Sequence, residues 1–539
     1  MSKRKKKQQK NINQTNIAEV IPENNGVQKR ADFSTPGGVY TPLFAVSFTG
    51  EKTLGGIGPI RNYRPNYEAL RLRSWQSYYE SEVSHTVVNA YIKWVIGKGL
   101  KLQCEPLKEV LSLEGINLDS KQFTKTVEAR YQAWSKSRMS DYANMKSKNE
   151  LSSTAFKNGE LGGDVLVILR YIDDCVKVQL VDASHVKSPG MGTEYFPQIL
   201  QNGNRLVNGV EFAPSGEHVA YYVQDFQLNY TRIPAKNDYG MLCAWLYYGK
   251  EYRLDNMRGI PNLSTVLEKL ATLERYASAA LGSAEERQKI AYVIEPDVNA
   301  IPQQPLVKDM VKAHDYYRGI TSQLPVDAEG KEIANTVAAS TNKQTFLMPS
   351  GLKMKSIESK QELFFKEFHS TNVELICACL GIPPNVAMML YTESFSSSRA
   401  ALKDWEHTLN VRRNSFSAGF EQPIFNFWLE TEILKNKIQA PGYIKARMEK
   451  NYMVVEAYRN ARFVGAPVPH IDPLKEVMAE RAKLGDAGKS LPLTTLESAT
   501  ENLNGGESFA NMEQFSEELK EAQRLNINAV PVQTKMKFD

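Results

Sequence analysis

The stretch Lys483-Leu-Gly-Asp-Ala-Gly-Lys-Ser carries most of the residues of a phosphate-binding loop. Such a loop cradles phosphates with backbone N–H groups and a lysine. It needs a glycine five places before its Gly-Lys-Ser and a buried strand ahead of it. Lys483 stands where that glycine belongs, and Asp472 to Leu484 in front has the pattern of a charged helix. A helix-ending turn is expected here, not a nucleotide site. Metal-dependent phosphodiester cleavage instead needs carboxylates on adjacent strand ends to hold Mg²⁺. Pro296-Asp297 with the later Glu329-Gly-Lys331 offers carboxylates, but Asp327-Ala-Glu-Gly-Lys reads as a solvent turn. Asp173-Asp174 reads as a hairpin turn before it reads as a metal pair.

The histidines (His85, His185, His218, His314, His369, His407, His470) are scattered, without HExxH spacing, and no G-x-S-x-G elbow occurs. Five cysteines (Cys104, Cys175, Cys243, Cys377, Cys379) form no disulfide framework. Cys377 and Cys379 fall inside the apolar run Leu375 to Leu380, with no second pair to complete a zinc site. Buried free thiols, folded in a reducing cytoplasm, are the expectation. The sequence thus predicts no catalytic residue, no cofactor and no metal, and a protein that is not an enzyme.

The bulk numbers narrow the class further. A chain of 539 residues is long enough for two to four domains. Its net charge of +5 is small against 66 basic and 61 acidic residues. That balance excludes a surface coated with base for non-specific duplex binding, but leaves room for a channel or patch that touches DNA. No apolar stretch approaches the ~18–20 residues that span a bilayer, so no membrane partner is expected. The opening MSKRKKKQQKNINQ is basic and runs into polar residues, which reads as a solvated tail rather than a secretory signal.

Periodicity places elements around these residues. Residues 1–65 are polar, with PGG and GGIGP breakers, and read as an arm that orders only against a neighbour. Helices are expected over Tyr67 to Ile96, Phe123 to Trp134 and Leu151 to Asn158, closed by Gly97, Gly99 and Gly159. Strand patterning follows: Val165 to Tyr171 and Val176 to Val181 as a hairpin, a pair around Pro214-Ser-Gly, and Met241 to Tyr248. After Arg258-Gly-Ile-Pro a long helix runs from Leu263 to about Arg287, with Leu267, Leu270, Leu273 and Tyr276 on one stripe. Tyr292–Glu295 and Phe346–Lys355 read as strands. A second long helix, about Ser359 to Leu380, stops at Gly381-Ile-Pro-Pro. The Ser-rich loop Tyr391 to Ser398 then leads into a helical stretch from Arg399 to Leu434, with a kink expected at Pro423. The fold class is α+β, mainly helical.

From Arg258 onward the order and spacing resemble the portal proteins of lambda-like tailed bacteriophages. The residues are Arg258-Gly-Ile-Pro before Tyr276-Ala-Ser-Ala-Ala-Leu, Phe364-Phe365-Lys-Glu-Phe through Ala378-Cys-Leu-Gly-Ile-Pro-Pro, and Ile471-Asp-Pro-Leu-Lys-Glu. The sharpest match is Tyr391-Thr-Glu-Ser-Phe-Ser-Ser-Ser-Arg-Ala-Ala-Leu, followed by Trp405 and Pro423-Ile-Phe-Asn-Phe-Trp-Leu-Glu. The resemblance covers about Tyr67 to Leu519, except that Val298 to Asn342 does not match.

The resemblance implies a portal fold with an α+β wing (66–257), a first stem helix (258–290) and a small α/β clip (291–356). A second stem helix (357–382), a tunnel loop (383–398), a long kinked wing helix (399–438), C-terminal wing and crown helices (439–520) and a polar tail (521–539) would follow. It implies a homo-oligomeric ring, usually of twelve copies, in the virion at the capsid portal vertex, assembled in the host cytoplasm. Double-stranded DNA would pass through it during packaging and ejection. The large terminase subunit, the major capsid or scaffold protein and a head–tail adaptor would dock on it. Leu267, Leu270, Leu273, Tyr276, Phe364 and Phe368 would pack subunits together. Tyr391, Thr392, Glu393, Ser394, Ser396, Ser397, Ser398 and Arg399 would line the channel. DNA in transit must not stick, and short hydroxyl side chains touch a phosphate backbone weakly, without the counterion release of a lysine cluster. The alternatives are another phage structural protein of the capsid or tail, or a packaging nuclease or ATPase.

Overall fold

The computed structural model describes residues 66–190, 198–250, 257–289, 293–296, 352–355, 363–390, 395–468, 473–485 and 491–525. Two helices, α1 (Tyr67–Glu80) and α2 (Glu82–Val95), stand where one was expected, because Ser81 is extended and interrupts the backbone ladder. Gly97 and Gly99, both at positive φ, close α2 as anticipated. The strand β1 (Lys101–Cys104) and the helices α3 (Lys108–Leu113) and α4 (Ser120–Lys136) follow. Helix α5 (Lys148–Gly162) starts at a capping box of Ser147 and Glu150, and it passes through Gly159 to end at Gly163.

Strands β2 (Asp164–Ile172) and β3 (Cys175–Asp182) form the expected hairpin. Asp173 and Asp174 both sit at left-handed φ in its turn, as a two-residue hairpin demands. A five-stranded antiparallel sheet is built from β4 (Gln198–Ile199), β5 (Arg205–Val207), β6 (Val210–Phe212), β7 (His218–Gln224) and β8 (Tyr230–Pro234), in that order. Strand β9 (Ala244–Tyr248) returns to pair with β2, giving the order β3-β2-β9. Side chains alternate along β2, so its two faces serve two cores. Val165, Val167 and Leu169 face the helices, while Leu166 and Ile168 pack with Val207, Val210 and Tyr221 of the five-stranded sheet.

Helix α6 (Leu267–Lys289), strands β10 (Val293–Pro296) and β11 (Leu352–Lys355), and helix α7 (Leu363–Leu380) come next. The two strands pair antiparallel; β11 lies within its predicted stretch, and β10 is shifted by one residue to end at Pro296. The short α8 (Pro384–Met388) precedes α9 (Phe395–Phe416), which continues through a π-turn (Ser417–Glu421) into α10 (Gln422–Leu434). Helices α11 (Tyr443–Met448) and α12 (Tyr452–Arg459) lead to β12 (Ala461–Val464), which pairs with β1 across the length of the chain. Helices α13 (Pro473–Lys483), α14 (Leu496–Asn504) and α15 (Ser508–Arg524) complete the described chain.

Backbone contacts divide the chain into two compact units, Met1–Glu274 with Ser370–Asp539, and Arg275–His369. The main core of the first unit is built around the α9–α10 helix, whose Trp405, Leu409, Phe416, Phe420 and Phe425 are fully buried. Among the described residues no helix is long and apolar enough to cross a membrane.

Candidate functional site

The Arg258-Gly-Ile-Pro lead-in to α6 is an anchor made of a buried ion pair and a glycine contact. Asp164, the first residue of β2, has no exposed side chain. It accepts hydrogen bonds from Arg258 Nε at 2.7 Å, Arg258 Nη2 at 2.8 Å and the Gly259 N–H at 2.8 Å. The other guanidinium donors go to the carbonyls of Ala183, Val186 and Asn208, each at 2.9 Å. All five donors of the Arg258 fork are thereby in use, a pattern a lysine cannot reproduce. Burial alone would push the Asp164 carboxyl up, but Arg258 and then Arg71 reverse this and hold it below its ordinary range. Arg71 of α1 lies 3.6 Å from Asp164 and donates to the Gly162 carbonyl at 3.0 Å. Gly163 and Gly259 touch backbone to backbone, and a Cβ on Gly259 would collide with the Gly163 carbonyl. One cluster therefore fixes α1, the end of α5, β2, the turn after β3 and the start of α6.

Further buried charges continue along α9. Glu160 of α5 accepts from Asn262 at 2.7 Å and from Arg412 at 3.1 Å. Arg413 pairs with no acid among the described residues and donates to the carbonyls of Trp94 at 2.8 Å, Val95 at 3.2 Å and Ala466 at 2.6 Å. It thus closes the C-terminus of α2, where the helix dipole favours a cation. Burial pushes its guanidinium down to about 10.

The kink expected at Pro423 is the π-turn just before it. Proline has no N–H, so the Gly419 carbonyl loses its helical donor. The indole N–H of Trp245 replaces it at 2.8 Å. Within the turn, Glu421 is fully buried and pairs with the ammonium of Lys148, and the Ser152 hydroxyl donates to it at 2.9 Å. Burial pushes the Lys148 ammonium down, and the Glu421 carboxylate opposes that by favouring the charged form.

The residues singled out by sequence fall in several places. Leu267, Leu270 and Leu273 are buried in the core of their own chain, in the cluster that also holds Val373 and Ile376, rather than on a face left for a neighbour. A helical stripe marks which face is covered, and one element's periodicity does not say by which chain. In the second unit Tyr276 stacks on Phe365 at 5.8 Å and meets Phe368 at 4.1 Å, so these rings also pack within one chain. The Phe364 side chain lies outside the described residues. Tyr391, Thr392, Glu393 and Ser394 also lie outside them. Ser396, Ser397, Ser398 and Arg399 belong to α9, which begins at Phe395 and not at Arg399. Serine weakens a helix by only a few tenths of a kcal/mol, so Arg399-Ala-Ala-Leu can carry the helix back across the run.

Ahead of Gly488-Lys-Ser stands helix α13, not a strand, and Gly485 at positive φ follows it. Asp486 to Ser490, Asp297, Glu329 and Lys331 lie outside the described residues. Cys377 is buried but Cys379, two places on along a helix, is exposed, a correction to the reading of both as buried. Among the described residues no group of three or more His, Cys, Asp or Glu could hold a metal ion. Asp164, Glu160, Lys148, Arg412, Arg413 and Glu421 escaped the sequence reading. A lone charge in an apolar-periodic segment is the only signal they leave.

Several solved structures are similar in fold. One is from the virion of a native gene transfer agent particle, at 12% identity and TM-score 0.40, covering 82% of this chain and 94% of that one. Another is from the neck of an empty gene transfer agent particle, at 11% identity and TM-score 0.41, with the same coverage of 82% and 94%. A third is an HK97 family phage portal protein from Corynebacterium diphtheriae, at 14% identity and TM-score 0.28, covering 66% of this chain and 91% of that one. No curated protein matches the chain. The family described as phage portal protein, lambda family, matches residues 56–413, more than half of the chain. The chain belongs to the lambda family of phage portal proteins.

Proposed function

We propose that this portal protein closes into a ring, twelve copies in the family's usual form, at one vertex of the capsid. DNA enters and leaves through its channel, and the large terminase subunit, the major capsid or scaffold protein and a head–tail adaptor dock on it. The observation that carries the reading is the family match over 56–413, which spans the Arg258-Gly-Ile-Pro anchor and both long helices. In this reading residues 66–257 are the wing and 258–290 and 357–382 the stem. The clip is 291–356, the tunnel loop 383–398, the long wing helix 399–438 and the crown region 439–520. The work is structural and requires no catalytic residue of this chain.

The Ser-rich run supports a channel that touches DNA weakly. Phosphate contacts release counterions, and each added cation is multiplied by the number of copies around a ring. Ser396→Arg, Ser397→Arg and Ser398→Arg together should leave assembly intact and sharply reduce the nuclease-protected DNA in particles. Unchanged packaging in particles that contain the triple variant would remove these residues from the channel.

A further inference from the structure

Helices α1 and α6 border a cleft of about 180 Å³ within the first unit. Leu267, Leu270 and Ala271 supply its apolar wall, and Glu80, Glu268 and Glu274 bring three carboxylates against a single cation, Arg73. Glu80 accepts from Gln76 at 3.0 Å, but among the described residues no cation pairs with any of the three. Ser81, on the same wall, opens α2, where a serine hydroxyl ordinarily accepts a first-turn N–H. Its hydroxyl makes no such bond. Although Ser81 is only 4% exposed, that hydroxyl has no partner among the described residues, and neither has the buried Ser77 hydroxyl of this wall.

Buried hydroxyls without partners, beside carboxylates without cations, suit a ligand rich in N–H donors. Among the described residues no three acids could hold a metal ion, so these glutamates do not converge on a point charge. A guanidinium matches them better. It is planar, offers five donors and no acceptor, and spreads its charge over several oxygens. A cavity of ~150 Å³ accepts a benzene ring, which is larger than a guanidinium.

The chain carries such a group next to this cleft in sequence. Residues 53–65, which lead directly into α1, hold two arginines, Arg61 and Arg64, and no acid. Arg73 to Ser81 stand ~9–21 Å along α1 from Tyr67, at 1.5 Å per helical residue. At ~3.3 Å per extended residue the backbone of Arg61 reaches ~20 Å from Tyr67, and that of Arg64 ~10 Å. Arg61 can therefore lie abreast of the cleft if the chain reverses at Pro65-Asn66, both turn-forming residues. Arg64, an odd number of places on, would point to the opposite side of an extended strap.

We infer that residues 57–65 fold back along α1 of the same chain and seat the Arg61 guanidinium among Glu80, Glu268, Glu274, Ser77 and Ser81. Tethering favours the chain's own arginine, since a short linker holds it at millimolar effective concentration. The strap would tie the polar arm to the start of α6 and fix where that arm leaves the body. It stands or falls apart from ring closure.

Limited trypsin digestion of the full chain, followed by mass spectrometry, reads the contact at the Arg61–Asn62 bond. In the triple variant Glu80→Gln, Glu268→Gln, Glu274→Gln this bond should be cut about tenfold faster or more than in wild type, a loss of protection of one decade in the docking equilibrium. The three glutamates are exposed or half-buried and the amides keep their shape, so the far-ultraviolet circular dichroism spectrum should not change. Arg64→Ala should leave the bond protected. Equal cutting in wild type and triple variant overturns the inference, and exposure of the bond by Arg64→Ala overturns the choice of Arg61. A second measurement does not depend on the glutamate variant folding. Asn62→Cys with Gln76→Cys keeps Arg61 and puts thiols at the cleft, and mild oxidation should link positions 62 and 76 within one chain. A link only between copies, or none, overturns the strap.

Discussion

Asp164 is fully buried and Glu128 partly buried, and their surroundings push the two carboxyls in opposite directions. Asp164 is held ionised by Arg258 and Arg71. Glu128 of α4 accepts the Cys104 N–H at 2.8 Å but lies near Glu507 and Glu105, with Lys101 the nearby cation. Burial is the largest influence and pushes its carboxyl up to about 7. A folded value above the ordinary 4.5 means that the fold binds the proton more tightly than the unfolded chain does. The stability that Glu128 lends is therefore present at acid pH and is lost as pH rises through about 7. Glu128→Gln keeps the acceptor oxygen and never ionises. It should raise the melting temperature above wild type at pH ~8 and change it little at pH ~4. An equal shift at both values would show that the group does not titrate in this way. What sequence conveyed at this scale was local. The Asp173-Asp174 turn and the incomplete phosphate loop were legible because each depends on adjacent residues. Lys148 and Glu421, or Arg413 and the Trp94 carbonyl, meet only after folding across hundreds of positions.

At the scale of elements, periodicity found the helices and the hairpin, and errors gathered at ends and breaks. Ser81 divides a helix because of two backbone angles that no side-chain pattern encodes. Pro423 was legible as a disturbance. The form it takes, a π-turn with Trp245 on the freed carbonyl, depends on a distant strand. The α6 stripe was read correctly as a buried face, but its cover comes from the same chain. A Leu270→Asp variant therefore acts on the subunit itself. Leu270 is 1% exposed, and a carboxylate there would be buried without a partner at a cost of several kcal/mol. The subunit should lose its cooperative thermal transition before any ring can form. Leu281→Asp, at a position 63% exposed on the same helix, should melt like wild type. Circular dichroism melts of the two variants check this, and a wild-type melt for Leu270→Asp would contradict the core assignment.

For the whole molecule, chain order was legible and three-dimensional closure was not. The pairing of β1 with β12 joins residues near 101 to residues near 464, and two four-residue strands so far apart leave no mutual signal in sequence. The same limit applies between copies, since a single chain shows which faces are covered and which remain open. On the proposed function, copies of this chain close around a channel for DNA. Electron microscopy of the purified full-length protein tests it most directly. Closed rings of uniform size, with a central opening wide enough for a DNA duplex, are the predicted result. Monomers at all concentrations, open filaments, or rings without a through-channel would contradict it.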